Sequence, residues 1–169
     1  MLRQFCRIVL FICTVLPIAG ETRISVPGSD LTIRLWSQKE ADGALTPYYQ
    51  IETNQGVRLS DHASGIKTSY ELKLLYGDFD PMNRAPEIAK DLQADSTNRL
   101  YIVQFVTQPL PEYRRLVRDL GGTVHFFLAN HAHLVTMDEV QAAAVAALPV
   151  VRWVGPYHPA YRLEAFLRT

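Results

Sequence analysis

Residues 100–157 read LYIVQFVTQPLPEYRRLVRDLGGTVHFFLANHAHLVTMDEVQAAAVAALPVVRWVGPY, and this stretch decides the fold. It holds four strand-like runs interrupted twice by a helix-like run, in the order β-α-β-β-α-β, with a start or stop signal at each junction. The first run, 100–107, is rich in β-branched and aromatic side chains, with Tyr101, Val103 and Phe105 on one face and Ile102 and Gln104 on the other. Pro109 and Pro111 end it and suit a helix start, because the first helical turn leaves its amide protons unpaired in any case. Tyr113, Leu116, Val117 and Leu120 then follow the spacing that lines one side of a helix, and Arg114, Arg115 and Arg118 fall on its other sides. Gly121-Gly122 supplies the left-handed residue that ends it.

The second run is 123–128, and Asn130-His131 makes a tight turn into the third, 132–137. Asp138 with Gln141 three residues on is a capping-box pattern. It opens an alanine-dominated helix over 139–147, able to lie close against a sheet and stopped by Pro149. The fourth run is 150–155. From Pro156, with Pro159 and Tyr161, the chain is expected to continue as an extended tail over 158–169.

Two amphipathic helices that each connect strands bury their apolar sides most simply on one side of a four-stranded antiparallel sheet. The predicted class is therefore α+β, a ferredoxin-like β-α-β-β-α-β sandwich over residues 99–157. The opposite sheet face is left open in this reading and carries Ile102, Ala132, Leu134, Thr136 and Val154, an apolar set that points to a partner surface. A slip of one residue would exchange the faces.

Upstream, Leu31–Trp36, Tyr48–Thr53 and Ser69–Tyr76 are short β-like runs between turn formers, so 21–76 reads as a partly β lead-in. Asn54-Gln55-Gly56 could close a hairpin between Ile51 and Val57. Tyr70, Leu72, Leu74 and Tyr76 alternate onto one face. Residues 77–98, with Asp78, Asp80, Pro81, Asn83, Pro86 and the polar run 95–98, read as a linker.

Of 169 residues 48% are hydrophobic, which fits a packed chain rather than a disordered one. The formal charge is zero, so no basic field draws the chain to nucleic acid or an anionic membrane. Residues 1–20, MLRQFCRIVLFICTVLPIAG, place Arg3 and Arg7 before an apolar run too short to span a bilayer, then Pro17, Ala19 and Gly20. That is a signal-peptide pattern, so a secreted or periplasmic protein with no membrane attachment after cleavage is expected. Cleavage near Gly20 would remove Cys6 and Cys13, leaving no disulfide, cysteine nucleophile or thiolate ligand.

Other constellations read most simply as structural. Asp61, His62 and Ser64 are triad residue types, but as sequence neighbours in a polar loop they cannot reach triad geometry. Asp78 and Asp80 are too few oxygens for calcium and mark a turn. His125, His131 and His133 could approach one another for zinc, but nothing completes a shell. Trp153, Tyr157 and Tyr161 are expected to pack. No catalytic residue, metal or cofactor is predicted.

The YIVQF strand, the LGGTV turn, Ala132-His133-Leu134-Val135 before a capped helix, and LPVVRWVGPYHPAYRL together resemble the propeptide (inhibitor) domain of secreted subtilisin-like serine proteases. The larger bacterial forms are similar in particular, through the YGDFDP lead-in, the RWVGPY strand and the PAYRL tail, and the resemblance covers 76–163. It implies an intramolecular chaperone and temporary inhibitor whose partner, in cis or in trans, is a subtilisin-like catalytic domain. It further implies that Ala132, Leu134, Thr136 and Val154 face that partner, and that Tyr157, His158, Pro159, Ala160, Tyr161 and Arg162 approach its cleft as an extended strand. The catalytic domain itself, with its distant aspartate, histidine and serine, is not found within these residues, so the chain is expected to be a non-enzymatic fragment. A stand-alone secreted ferredoxin-like interaction module is the alternative, and a metal- or ligand-binding domain using the histidines is a third reading.

Overall fold

The computed structural model describes residues 20–56 and 65–163. The signal-peptide reading of 1–20 therefore falls outside the described residues except at Gly20, as do Val57, Asp61, His62 and Ser64. The described residues are mixed α+β, with two α-helices and three antiparallel sheets.

The first sheet has the order β1 (Thr22–Ser25), β2 (Leu31–Lys39), β3 (Leu45–Thr53), β4 (Ile66–Lys67). Strict alternation in β2 and β3 puts Leu31, Ile33, Tyr49 and Ile51 on one buried side, with Ile33 directly opposite Ile51. The other side is polar and aromatic. There Arg34 bridges Glu21 and Glu52, and Trp36 stacks on Tyr48 at 5.9 Å. The Asn54-Gln55-Gly56 turn forms, with Gly56 N–H donating to Thr53 O at 2.9 Å.

The second sheet contains β7 (Leu100–Phe105), β8 (Thr123–Leu128), β9 (Ala132–Thr136) and β10 (Val151–Pro156), in the spatial order β10-β7-β9-β8 with every neighbour antiparallel. Helix α1 (Pro111–Asp119) connects β7 to β8, and α2 (Glu139–Ala146) connects β9 to β10. Their local signals act as the sequence indicates. Pro111 stands in the first turn of α1, Tyr113 and Val117 are buried, and Gly121 at φ +89° turns the chain out. Asp138 and Gln141 form the reciprocal capping box of α2, at 2.7 and 2.8 Å.

One core joins the two sheets. Val103, Phe105, Tyr113, Val117, Val135 and Val145 share it with Ile33, Tyr49 and Ile51 of the first sheet. Phe105 and Tyr113 have ring centroids 5.3 Å apart, and the buried Tyr113 hydroxyl has Thr107 Oγ1 at 2.9 Å. Burial pushes the Tyr113 phenol up to about 12, so it stays protonated as a hydrogen-bonding hydroxyl.

The third sheet is the small hairpin β5 (Leu72–Leu74) and β6 (Gly77–Phe79). It shortens the strand expected over 69–76, although Leu72, Leu74 and Tyr76 do share one packed side. Residues 77–98 are not a free linker. Phe79 and Ile88 are buried, and a 3-10 turn at Lys90–Leu92 brings Leu92 against the same cluster.

Candidate interaction surface

The sheet face opposite α1 and α2 is where the partner surface was expected, and most of it is closed by the chain itself. Ile102 and Ala132 are wholly buried there, under Leu72, Phe79, Ile88, Ala160 and Tyr161. An apolar sheet face this size is covered by whatever chain can reach it, and here that is the β5–β6 hairpin, its following segment and the C-terminal turn. Leu134 stays half-buried and Thr136 exposed, so the uncovered part is the β8–β9 half of the face. His125 and the exposed Phe126 lie opposite Leu134 and extend this half, with His125 Nε2 2.8 Å from Thr136 Oγ1.

Val154 is a correction. It pairs with Val103 and packs on the helix side, because β10 contains one extra residue between Val151 (opposite Phe105) and Trp153 (opposite Gln104). This bulge shifts the alternation by one, and Trp153 takes the place on the second face that regular counting gives to Val154. The indole lies over Gly155, where any Cβ would collide with it.

The extra residue is Arg152, and it organises the closure. Its guanidinium donates to Asp80 through Nη1 and Nη2 at 2.7 and 2.8 Å, and Nη1 also reaches Gln104 Oε1 at 2.8 Å. It lies 4.1 Å from the centre of the Tyr70 ring. Gln104, fully buried, donates to Tyr70 O and Asn130 O, so its whole amide is used. Asp80 also accepts from Met82 N and Asn83 Nδ2, which accounts for the turn read at Asp78–Pro81. Sequence reasoning passed over Arg152 and Gln104. The available signal was a single polar side chain inside each of two otherwise apolar strands.

The tail is a second correction. Tyr157 N–H continues the β10 pairing to Leu100 O at 2.8 Å, but Pro159–Arg162 then form a 3-10 turn instead of an extended strand. Ala160 and Tyr161 are buried against the sheet, and the Tyr161 ring meets Tyr76, Phe79, Tyr157 and His158 at 5.2 to 5.9 Å. Burial, with Tyr76 nearby, pushes the Tyr161 phenol up to about 12. His158 Nδ1 accepts from Ala94 N–H at 2.8 Å, and Arg162 sits 5.5 Å from the Tyr157 ring.

The histidines do not converge. His125 is on the second face; His133 is buried on the helix side between Phe105 and Phe127; His131 occupies the β8–β9 turn. His131 has φ +72° and sits among Tyr49, Tyr70 and Thr68, joining the first sheet to the second. Burial lowers its pKa to about 4. Among the described residues no group of histidine, cysteine or carboxylate side chains is placed to hold a metal ion.

The half of the sheet face at Leu134, Thr136 and His125 is thus the part of the α+β scaffold left uncovered among the described residues. Residues 73–158 match the family described as a domain of unknown function (DUF8729), and the chain belongs to that family. The match runs from within β5 to just past β10, so it takes in the second sheet and all but the first residue of the covering hairpin, whereas the first sheet and the C-terminal turn lie outside. No curated protein matches the chain, and no solved structure does.

Proposed function

We propose that the chain is a propeptide-type chaperone and temporary inhibitor of a secreted subtilisin-like serine protease, acting in cis or in trans and not itself an enzyme. The order β10-β7-β9-β8, with both crossover helices on one face, is the fourth-first-third-second order of a ferredoxin-like sandwich and supports this reading. Fold alone is compatible with many functions. The observation that carries the proposal is the uncovered half-face, where the exposed Phe126 and the half-buried Leu134 lie beside Thr136 and His125, next to a closed other half.

In this reading the partner docks on Leu134 and Thr136. Ala132 supports them from within, and Val154 has no direct part. In this reading Tyr157–Arg162 stay folded against the sheet, and the portion offered to a protease cleft follows them in the chain.

The test is inhibition, and acceleration of refolding, of a panel of secreted subtilisin-like proteases by the full chain. Thr136→Arg and a variant lacking residues 164–169 are the controls. Inhibition that fades as the chain is cleaved, weakened by both variants, is the expected result. A folded chain, by circular dichroism, that neither inhibits nor assists any member sinks the proposal and leaves the stand-alone interaction module.

A further inference from the structure

The second sheet ends in two edges of different character. β10 carries Arg152, engaged with Asp80, and ends in Pro156; charge and proline are common guards against unwanted strand pairing. β8, the other outer strand, is TVHFFL: six residues with no charged side chain and no proline. Its Phe126 and Phe127 are 72% and 60% exposed. The one device that blunts this edge is the bulge opposite Leu134.

Three features of the neighbourhood say what would cover it. Helix α1 lies alongside β8, and none of its arginines, Arg114, Arg115 or Arg118, has an ion pair among the described residues. Arg114 and Arg118 stand close enough to His133 to lower its pKa, after the larger effect of burial. His133 Nδ1 donates to Phe126 O at 3.1 Å, so Nε2 is an acceptor; it is buried against Phe127 and has no partner among the described residues. The helix side of the β8 edge thus offers positive charge beside Phe127, and the other side offers Phe126.

We infer that β8 accepts an added strand from a protein partner, an extended segment in which acidic side chains alternate with apolar ones. Backbone hydrogen bonds to the free edge would hold the segment, and the alternation would turn its carboxylates toward Arg114 and Arg118 and its apolar side chains toward Phe126. A second copy of this chain fits worse. Antiparallel pairing of two β8 edges brings both sets of α1 arginines to the same seam, where like charges repel. The inference shares Phe126 with the Leu134–Thr136 half-face but does not rest on the protease reading, because backbone pairing at the β8 edge carries it.

The experiment is an NMR titration of the full chain with an alternating Glu–Val peptide of about eight residues, the length of an ordinary strand, against a Lys–Val peptide of the same length. The expected result is shift changes and slowed amide exchange confined to Thr123–Leu128 and α1, with the Glu–Val peptide only. An Arg114→Glu/Arg118→Glu variant, with α2 resonances unchanged to show that it folds, should bind it about ten-fold more weakly. Equal response to the two peptides, changes mapping elsewhere, or no binding overturns the inference. So does concentration-dependent dimerisation of the chain alone, in sedimentation velocity, that protects the β8 amides.

Discussion

The two faces of the second sheet are closed by different means. On one, α1 and α2 lay down side chains at helical spacing, and the result is an apolar core shared with the first sheet. On the other, the cover is a two-stranded hairpin, an irregular segment and a 3-10 turn, tied down by Arg152, Asp80 and Gln104 and padded with tyrosines. A regular element needs only an apolar stripe to cover a sheet. An irregular cover has no stripe, so polar fasteners must fix where it lies, and these are specific but individually breakable.

Breaking the helix-covered face should have the largest effect. Phe105 is fully buried against Tyr113, and Phe105→Ala is expected to cost about 4 kcal/mol of stability in urea unfolding. A cost under about 1 kcal/mol would mean that the core is not the main support of the fold.

The fastener comes next. Arg152→Ala takes from Asp80 its cationic partner, leaving it the Met82 and Asn83 donors, and leaves the buried Gln104 oxygen without a donor, and a loss of about 3 kcal/mol is expected. Amide exchange should then quicken in 72–92 and 157–162 more than in α1 or α2. Uniform quickening would show that the two faces are a single cooperative unit.

A smaller effect should appear with acid, at the turn joining the sheets. His131 has its pKa lowered from 6.5 to about 4, so the folded chain favours the neutral ring. Between those values the unfolded chain takes up a proton that the folded chain refuses. The contribution of His131 is therefore complete above pH 6.5 and is lost as pH falls towards about 4. Allowing for partial solvent screening, about 2 kcal/mol is at stake. Burial lowers His133 and His158 in the same direction, so the comparison is with His131→Asn, which tolerates the left-handed backbone and should flatten the slope of stability against pH.

The smallest expected effect is a local one on the helix side. Asp138→Ala removes the α2 cap and should cost about 1 kcal/mol, read as a small drop in the urea midpoint with an unchanged slope.

This contrast also explains what could be read from the sequence. Tyr113, Val117 and the Asp138–Gln141 cap each follow a local rule, and the helix-covered face follows from them. Simple alternation puts Leu134, Thr136 and Val154 on the face opposite the helices; Leu134 is half-buried and Thr136 exposed there, whereas Val154 lies on the helix side, because a bulge is a backbone event with no residue type of its own. The burial of Ala132 and Ile102 beneath Phe79, Ile88 and Tyr161 was equally hidden, since it depends on where a segment without periodicity comes to rest. Asp80 and Arg152 stand 72 residues apart in sequence, and nothing in the local pattern of either names the other.

The extra residue in β10 carries one more consequence, for insertions and deletions. In an ordinary strand, removing one residue inverts the facing of everything beyond it. Deleting Arg152 would leave Val151 opposite Phe105 and Trp153 opposite Gln104, as they are now. A relative could therefore lose this single codon, and with it the fastening of the second face, while keeping every other strand residue in place; the sheet would survive with its cover set loose.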